Sequence, residues 1–197
     1  MRPKGTTKAR KIITKKEYKE LLNYLNRTDE LKPHSIENAK KAFVLLYYGG
    51  FRVSELISLT NRELFEILKK GEFSLTNNTK TKKPRMVYFS EQAVKEIRKI
   101  FKSHLQEPES YLLIRSWGKP FSKFSPHTLQ RQLNFILKTV LGSSYTTHSF
   151  RAGLITEMAL KGINTKIIQS FINHSNVSTT LRYIKPTEKD IKNSLVR

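Results

Sequence analysis

The chain has 197 residues, 38% of them apolar and none of them cysteine, and 37 Lys and Arg against 16 Asp and Glu give it a formal charge of +21. These figures exclude a disulfide-stapled domain, a thiolate metal site and a disordered tail, and no apolar run approaches the ~20 residues of a membrane span. A cationic excess spread from Arg2 to Arg197 points to a polyanionic partner, and nucleic acid is the usual one.

Residues 1–13 are small and basic, with Pro3 and Gly5, and are expected to form a mobile arm without the apolar stretch of a secretory signal. Thr14 and Glu17 make a capping box, and Tyr18, Leu21, Leu22 and Leu25 follow at helical spacing. Ser35 is expected to open a second helix, with Ala39, Ala42, Phe43 and Leu46 on one face and Gly49-Gly50 at its end. The double glycine lets a new short helix begin, with Arg52 near its N-terminal end. Thr60 and Glu63 start another, which runs toward Gly71.

The period then changes. EFSLT (72–76) and RMVYF (85–89) are rich in β-formers around the polar connection NNTKTKKP, which predicts a β-hairpin. Ser90 caps a helix carrying Ala93, Val94, Ile97, Ile100 and Phe101. YLLIRSWGKPF is extended and then turns. Ser125-Pro126 is a cap followed by proline at the first helical position, and the helix carries Leu129, Leu133, Ile136, Leu137 and Val140 to Gly142. Two further helices run from about His148 to Lys161 and onward from Asn164, the second with Ile167, Ile168, Phe171 and Ile172 inward. The stretch 178–197 is helical in pattern but broken by Pro186. The sum is a mainly α protein with a small antiparallel β-sheet.

Three stretches carry side chains that an ordinary core does not need. THSFRAGL places His148 and Arg151 at i and i+3, on one helix face. YYGGFRVSEL places Glu55 one turn from Arg52, either to orient its guanidinium or as a surface ion pair of little energetic weight. INHSNVSTTLRYIKP holds His174 and Tyr183, which alone would read equally well as a helix cap and a half-buried core residue. Taken together, two guanidiniums, two imidazoles, a lysine and a phenol suit metal-free cleavage of a phosphodiester. Arginine forks stabilise the charge gathering on the non-bridging oxygens. The phenol is the nucleophile, and the departing 5′ oxygen needs a proton.

Arg52 in GFRVSEL, His148 to Arg151 in HSFR, His174 in NHSN and Tyr183 resemble the active site of tyrosine recombinases, the phage integrase and Xer family, in order and spacing. The resemblance covers about residues 14–190. It implies the catalytic-domain fold of that family and DNA strand exchange through a 3′-phosphotyrosyl link, with no metal, ATP or other cofactor. Carried over position by position, Tyr183 is the nucleophile and Arg52 and Arg151 bind the scissile phosphate. His148 acts as base and phosphate donor, His174 adds a hydrogen bond to the same phosphate, and Glu55 orients its neighbours. The family's lysine lies between two strands, and TKTKKPRMV aligns best with Lys80 in that role, with Lys82 and Lys83 open as alternatives because threonines replace the flanking glycines. Ala152 and Asn173 also depart from the family, which commonly has a basic residue or histidine at the first position and glycine at the second.

The resemblance divides the chain into the arm 1–13, a catalytic domain 14–185 and a segment 186–197 that docks on a neighbouring subunit. The helical N-terminal domain usual in the family is expected to be absent, as in the short invertases of fimbrial promoters. Lys82, Lys83, His127, Gln130 and Arg131 are candidate DNA contacts, with Leu129 and Leu133 turned inward. The expected partners are double-stranded DNA, further copies of the chain in a tetramer and accessory DNA-bending or directionality factors, in a cytoplasmic setting and with no membrane. A type IB topoisomerase would share the cleavage chemistry. A helical DNA-binding regulator would explain the charge but not these spacings, and an RNA-binding module lacks its aromatic stacking motif.

Overall fold

The computed structural model describes residues 11–76, 84–101, 107–115, 121–173 and 180–181. Helix α1 (Lys15–Arg27) opens on Thr14, whose backbone N–H donates to Glu17 at 2.9 Å, completing the expected capping box. Helix α2 (Pro33–Gly49) starts two residues before the expected Ser35. Proline at the first helical position has no N–H to leave unsatisfied and a φ already suited to the helix, so Pro33 sets the boundary and no side-chain cap is needed. Gly50 closes α2 in the left-handed region at φ 57°, a conformation that costs glycine little.

Helix α3 (Val53–Leu56) is a single turn with Arg52 at its N-cap, and α4 (Asn61–Lys70) starts on the Thr60/Glu63 box. Strands β1 (Glu72–Leu75) and β2 (Arg85–Tyr88) pair antiparallel, with Glu72 opposite Tyr88 and Leu75 opposite Arg85. Ser90 caps α5 (Glu91–Ile100), Ser125 caps α6 (Pro126–Leu141), and Asn164 caps α8 (Thr165–Ile172). Between α5 and α6 the chain makes isolated antiparallel bridges, Thr60 with Tyr111 and Ile114 with Lys123, in keeping with the extended reading. Helix α7 (His148–Leu160) begins at the histidine of HSFR.

Helix α2 is the axis of the molecule. It is buried on nearly all sides, from Asn38 and Ala39 through Phe43 to Leu46, and packs against α1, α3, α5 and α7. An apolar surface all round is what a central helix requires. Around it gather Leu21, Leu25, Leu64, Ile97, Leu133, Leu137 and Phe150 in one continuous core. A second, smaller cluster of Ile155, Ile168 and Ile172 joins α7 to α8. Ile13, expected to lie in the mobile arm, belongs to the fold instead: it is 2% exposed, and its N–H donates to Ser149 O at 3.0 Å. A Cβ on Gly153 would stand 2.2 Å from the Ile13 carbonyl oxygen, so this close approach needs glycine in α7.

Candidate active site

The turn after α2 builds the first half of the site. Gly50 reverses the chain, and Arg52 then caps α3 with its backbone while its side chain turns back toward Glu55. Arg52 Nη1 donates to Glu55 Oε1 and Arg52 N–H to Glu55 Oε2, both at 2.8 Å. The Glu55 side chain is 0% exposed, so the pair is not the surface ion pair that the spacing also allowed. Burial pushes the Glu55 carboxyl upward. The charge and hydrogen bond of Arg85, the Arg52 N–H and the charge of Arg151 outweigh it and hold the group below its ordinary range.

Helix α7 supplies the second half. His148 stands exposed at its first turn, and Arg151, one turn on, is 6% exposed. Arg151 donates to the carbonyls of Gly50 and Ile172. The start of α7 is held by Thr147 N–H donating to Asn134 Oδ1 of α6 at 2.8 Å. Arg52, His148 and Arg151 line one cleft of about 140 Å³ with Phe51, Val53, Ser54, Pro126, Gln130 and Thr147.

The end of α8 ties these parts together. Its last carbonyls have no partner within the helix and carry the negative end of the helix dipole. Arg85 Nη1 donates to Phe171 O at 3.0 Å, Arg151 to Ile172 O, and Arg52 Nη2 to Asn173 O at 3.1 Å. Three consecutive carbonyls thus receive three arginines, one each from β2, α7 and the α3 cap. Asn173 is left-handed, at φ 52°. Asparagine tolerates that conformation better than most residues, which is how the chain accommodates a side chain where the family has glycine.

Among the expected site residues, Arg52, Glu55, His148 and Arg151 therefore come together. Of the expected DNA contacts on α6, Leu129 and Leu133 do turn inward, each 1% exposed, and Gln130 lines the cleft. Arg131, a helical step of about 100° further round, lines a separate groove with Leu31, Asn38, Leu133 and Phe135, and His127 is exposed. Lys80, Lys82, Lys83, His174 and Tyr183, like segment 186–197, lie outside the described residues. Sequence reasoning missed Arg85, whose signal was an arginine sharing the inward face of its strand with Val87. It also missed the backbone of Ile13, which carries no sequence signal.

The chain is 31% identical over 189 residues to tyrosine recombinase XerA of Pyrococcus furiosus, covering 95% of this chain and 61% of that one. It is 30% identical over 156 residues to XerA of Pyrococcus horikoshii, covering 79% and 53%. The chain thus spans between about half and two-thirds of the length of these curated relatives. Its fold matches a crystal structure of XerA recombinase with a TM-score of 0.70 at 19% identity, covering 98% of this chain and 65% of that one. It matches the Tn1549 transposon integrase in complex with transposon right end DNA with a TM-score of 0.72 at 17% identity, covering 98% and 67%. With the family's sequence pattern matched over residues 11–190, the chain belongs to the phage integrase family.

Proposed function

We propose that the chain is the strand-cleaving part of a site-specific DNA recombinase that works through a 3′-phosphotyrosyl intermediate. One observation carries the reading: Arg52 and Arg151, far apart in sequence, line a single cleft with His148. A guanidinium has five donors, enough to keep its anchors and meet a phosphate. The transposon right end DNA held by the similar Tn1549 integrase supports double-stranded DNA as the expected partner.

In this reading Arg52 and Arg151 hold the non-bridging oxygens of the scissile phosphate and stabilise the charge that builds there in the transition state. The Tyr183 phenol loses its proton to His148 and attacks phosphorus, forming the tyrosyl–phosphate bond. The bond to the 5′ oxygen breaks, and that oxygen takes a proton from Lys80, or from Lys82 or Lys83. His174 adds a hydrogen bond to the same phosphate. Rejoining reverses these steps with the 5′ hydroxyl of a second strand. No step calls on a metal or ATP. Several copies on paired DNA sites, a tetramer by family resemblance, with accessory DNA-bending or directionality factors, complete the proposal, in a cytoplasmic or mobile-element setting.

The test is a library of nicked duplexes incubated with the protein in chelator and resolved on denaturing gels. Wild-type protein forms a covalent protein–DNA adduct on a subset of sequences, and Tyr183→Phe forms none. No adduct on any duplex would sink the proposal. An adduct accompanied by relaxation of supercoils at any sequence, with no joining of two sites, would assign the same chemistry to a topoisomerase.

A further inference from the structure

We infer that Arg85 is a positioning residue for the two phosphate-binding arginines, holding Glu55 and the end of α8 where Arg52 and Arg151 need them. The inference rests on the cleavage chemistry proposed above.

Arg85 is the first residue of β2 and points inward, 5% exposed. Its partners belong to other elements. Nη2 donates to Glu55 Oε2 at 2.9 Å and Nη1 to Phe171 O at 3.0 Å, and the guanidinium carbon lies 5.6 Å from the centre of the Phe51 ring. It is not among the residues lining the cleft. Burying a guanidinium is unfavourable unless its donors are matched. An apolar side chain like that of Val87, on the same strand face, would hold the hairpin with less desolvation. The arginine therefore serves what it touches.

What it touches is the support of the catalytic arginines. Glu55 shares its carboxylate between Arg52 and Arg85, so neither guanidinium is neutralised alone. Three guanidiniums around one carboxylate leave the cluster with two positive charges, the sign that a phosphodiester and its more negative transition state require. Without Arg85, Glu55 would face Arg52 undivided and draw its charge away from the cleft. The second anchor, at Phe171 O, fixes the carbonyl next to those that receive Arg151 and Arg52. One rigid fork spans α3 and α8 at once. A lysine, a point charge on a flexible stem, would serve one or the other.

The experiment uses the full chain and a nicked duplex on which wild type forms the adduct, with duplex Kd, melting temperature and single-turnover adduct formation measured side by side. Arg85→Gln is expected to slow adduct formation by about tenfold or more. Its Kd should change little, because the other cations of the +21 chain supply the backbone contacts. Adding Glu55→Gln to Arg85→Gln is expected to recover part of the rate, since the unshared carboxylate is then gone. Wild-type rate in Arg85→Gln, or a loss of rate matched by an equal rise in Kd, overturns the inference. If Arg85→Gln does not fold, Arg85→Lys decides: a slower rate at unchanged Kd supports the role, and wild-type rate overturns it. Wild-type protein that forms no adduct would strike the proposed chemistry instead. Amide exchange at the end of α8 then judges Arg85, with faster exchange in Arg85→Lys expected and equal exchange overturning the clasp.

Discussion

Helices α2 and α8 are held in the molecule by opposite means. Helix α2 is surrounded by apolar side chains, and its position depends on shape and burial. Helix α8 buries only Ile168 and Ile172, leaves Ile167 58% exposed, and is fastened at its end by three arginines from three other elements. Apolar packing is indifferent to charge, whereas a clasp of guanidiniums on helix carbonyls responds to any anion that enters the cleft. On the proposed function, the scaffold is insulated from the substrate, and the element preceding His174 is coupled to it.

The largest expected effect tests the insulated half. Phe43 is 0% exposed and stacks on Phe150 at 5.3 Å, so Phe43→Ala is expected to lower unfolding free energy by about 3–5 kcal/mol. Urea titrations at low and high salt should give the same loss. A loss that shrinks with salt would break the contrast.

Glu55 tests the coupled half. Glu55→Gln is expected to cost about 1.5–3 kcal/mol near neutral pH, the range for a hydrogen bond to a charged group. Its pKa is held below the ordinary 4.5 in the folded chain. The ionised carboxylate therefore adds stability that is fully present above that value and is lost as pH falls through the lower folded value. Melting curves of wild type and Glu55→Gln should converge as the solution is acidified below 4.5. A gap independent of pH would show that the carboxylate charge has no part in the clasp.

The smallest effect sharpens where the clasp ends. Asn173→Gly keeps the carbonyl that receives Arg52 and removes only a side chain at a left-handed position. Stability is expected to change by less than about 1 kcal/mol, with adduct formation unchanged. A large loss of cleavage would mean that the asparagine side chain, beyond its backbone, belongs to the site.

Much of the fold was legible because it is local. Capping boxes at Thr14 and Thr60, the Ser125-Pro126 start and the change of period at EFSLT each occupy one turn or one strand, and all appear where expected. The start of α2 differed because Pro33 outranked Ser35 as a helix opener. In the site, Arg52 with Glu55 and His148 with Arg151 were legible as i, i+3 pairs. Arg85 was not, since its partners lie 30 and 86 positions away in sequence.

By itself the sequence determined which ionisable side chains are available, where most of the helices begin, and a large excess of positive charge. Periodicity, caps and charge are properties of neighbouring residues or of sums. Only the tertiary structure decided that Glu55 is buried rather than exposed, that Gln130 faces the cleft and Arg131 another groove, and that three arginines meet at one helix end. Those outcomes depend on how separate elements pack, and a hydrogen bond between distant segments leaves no periodic trace in either of them.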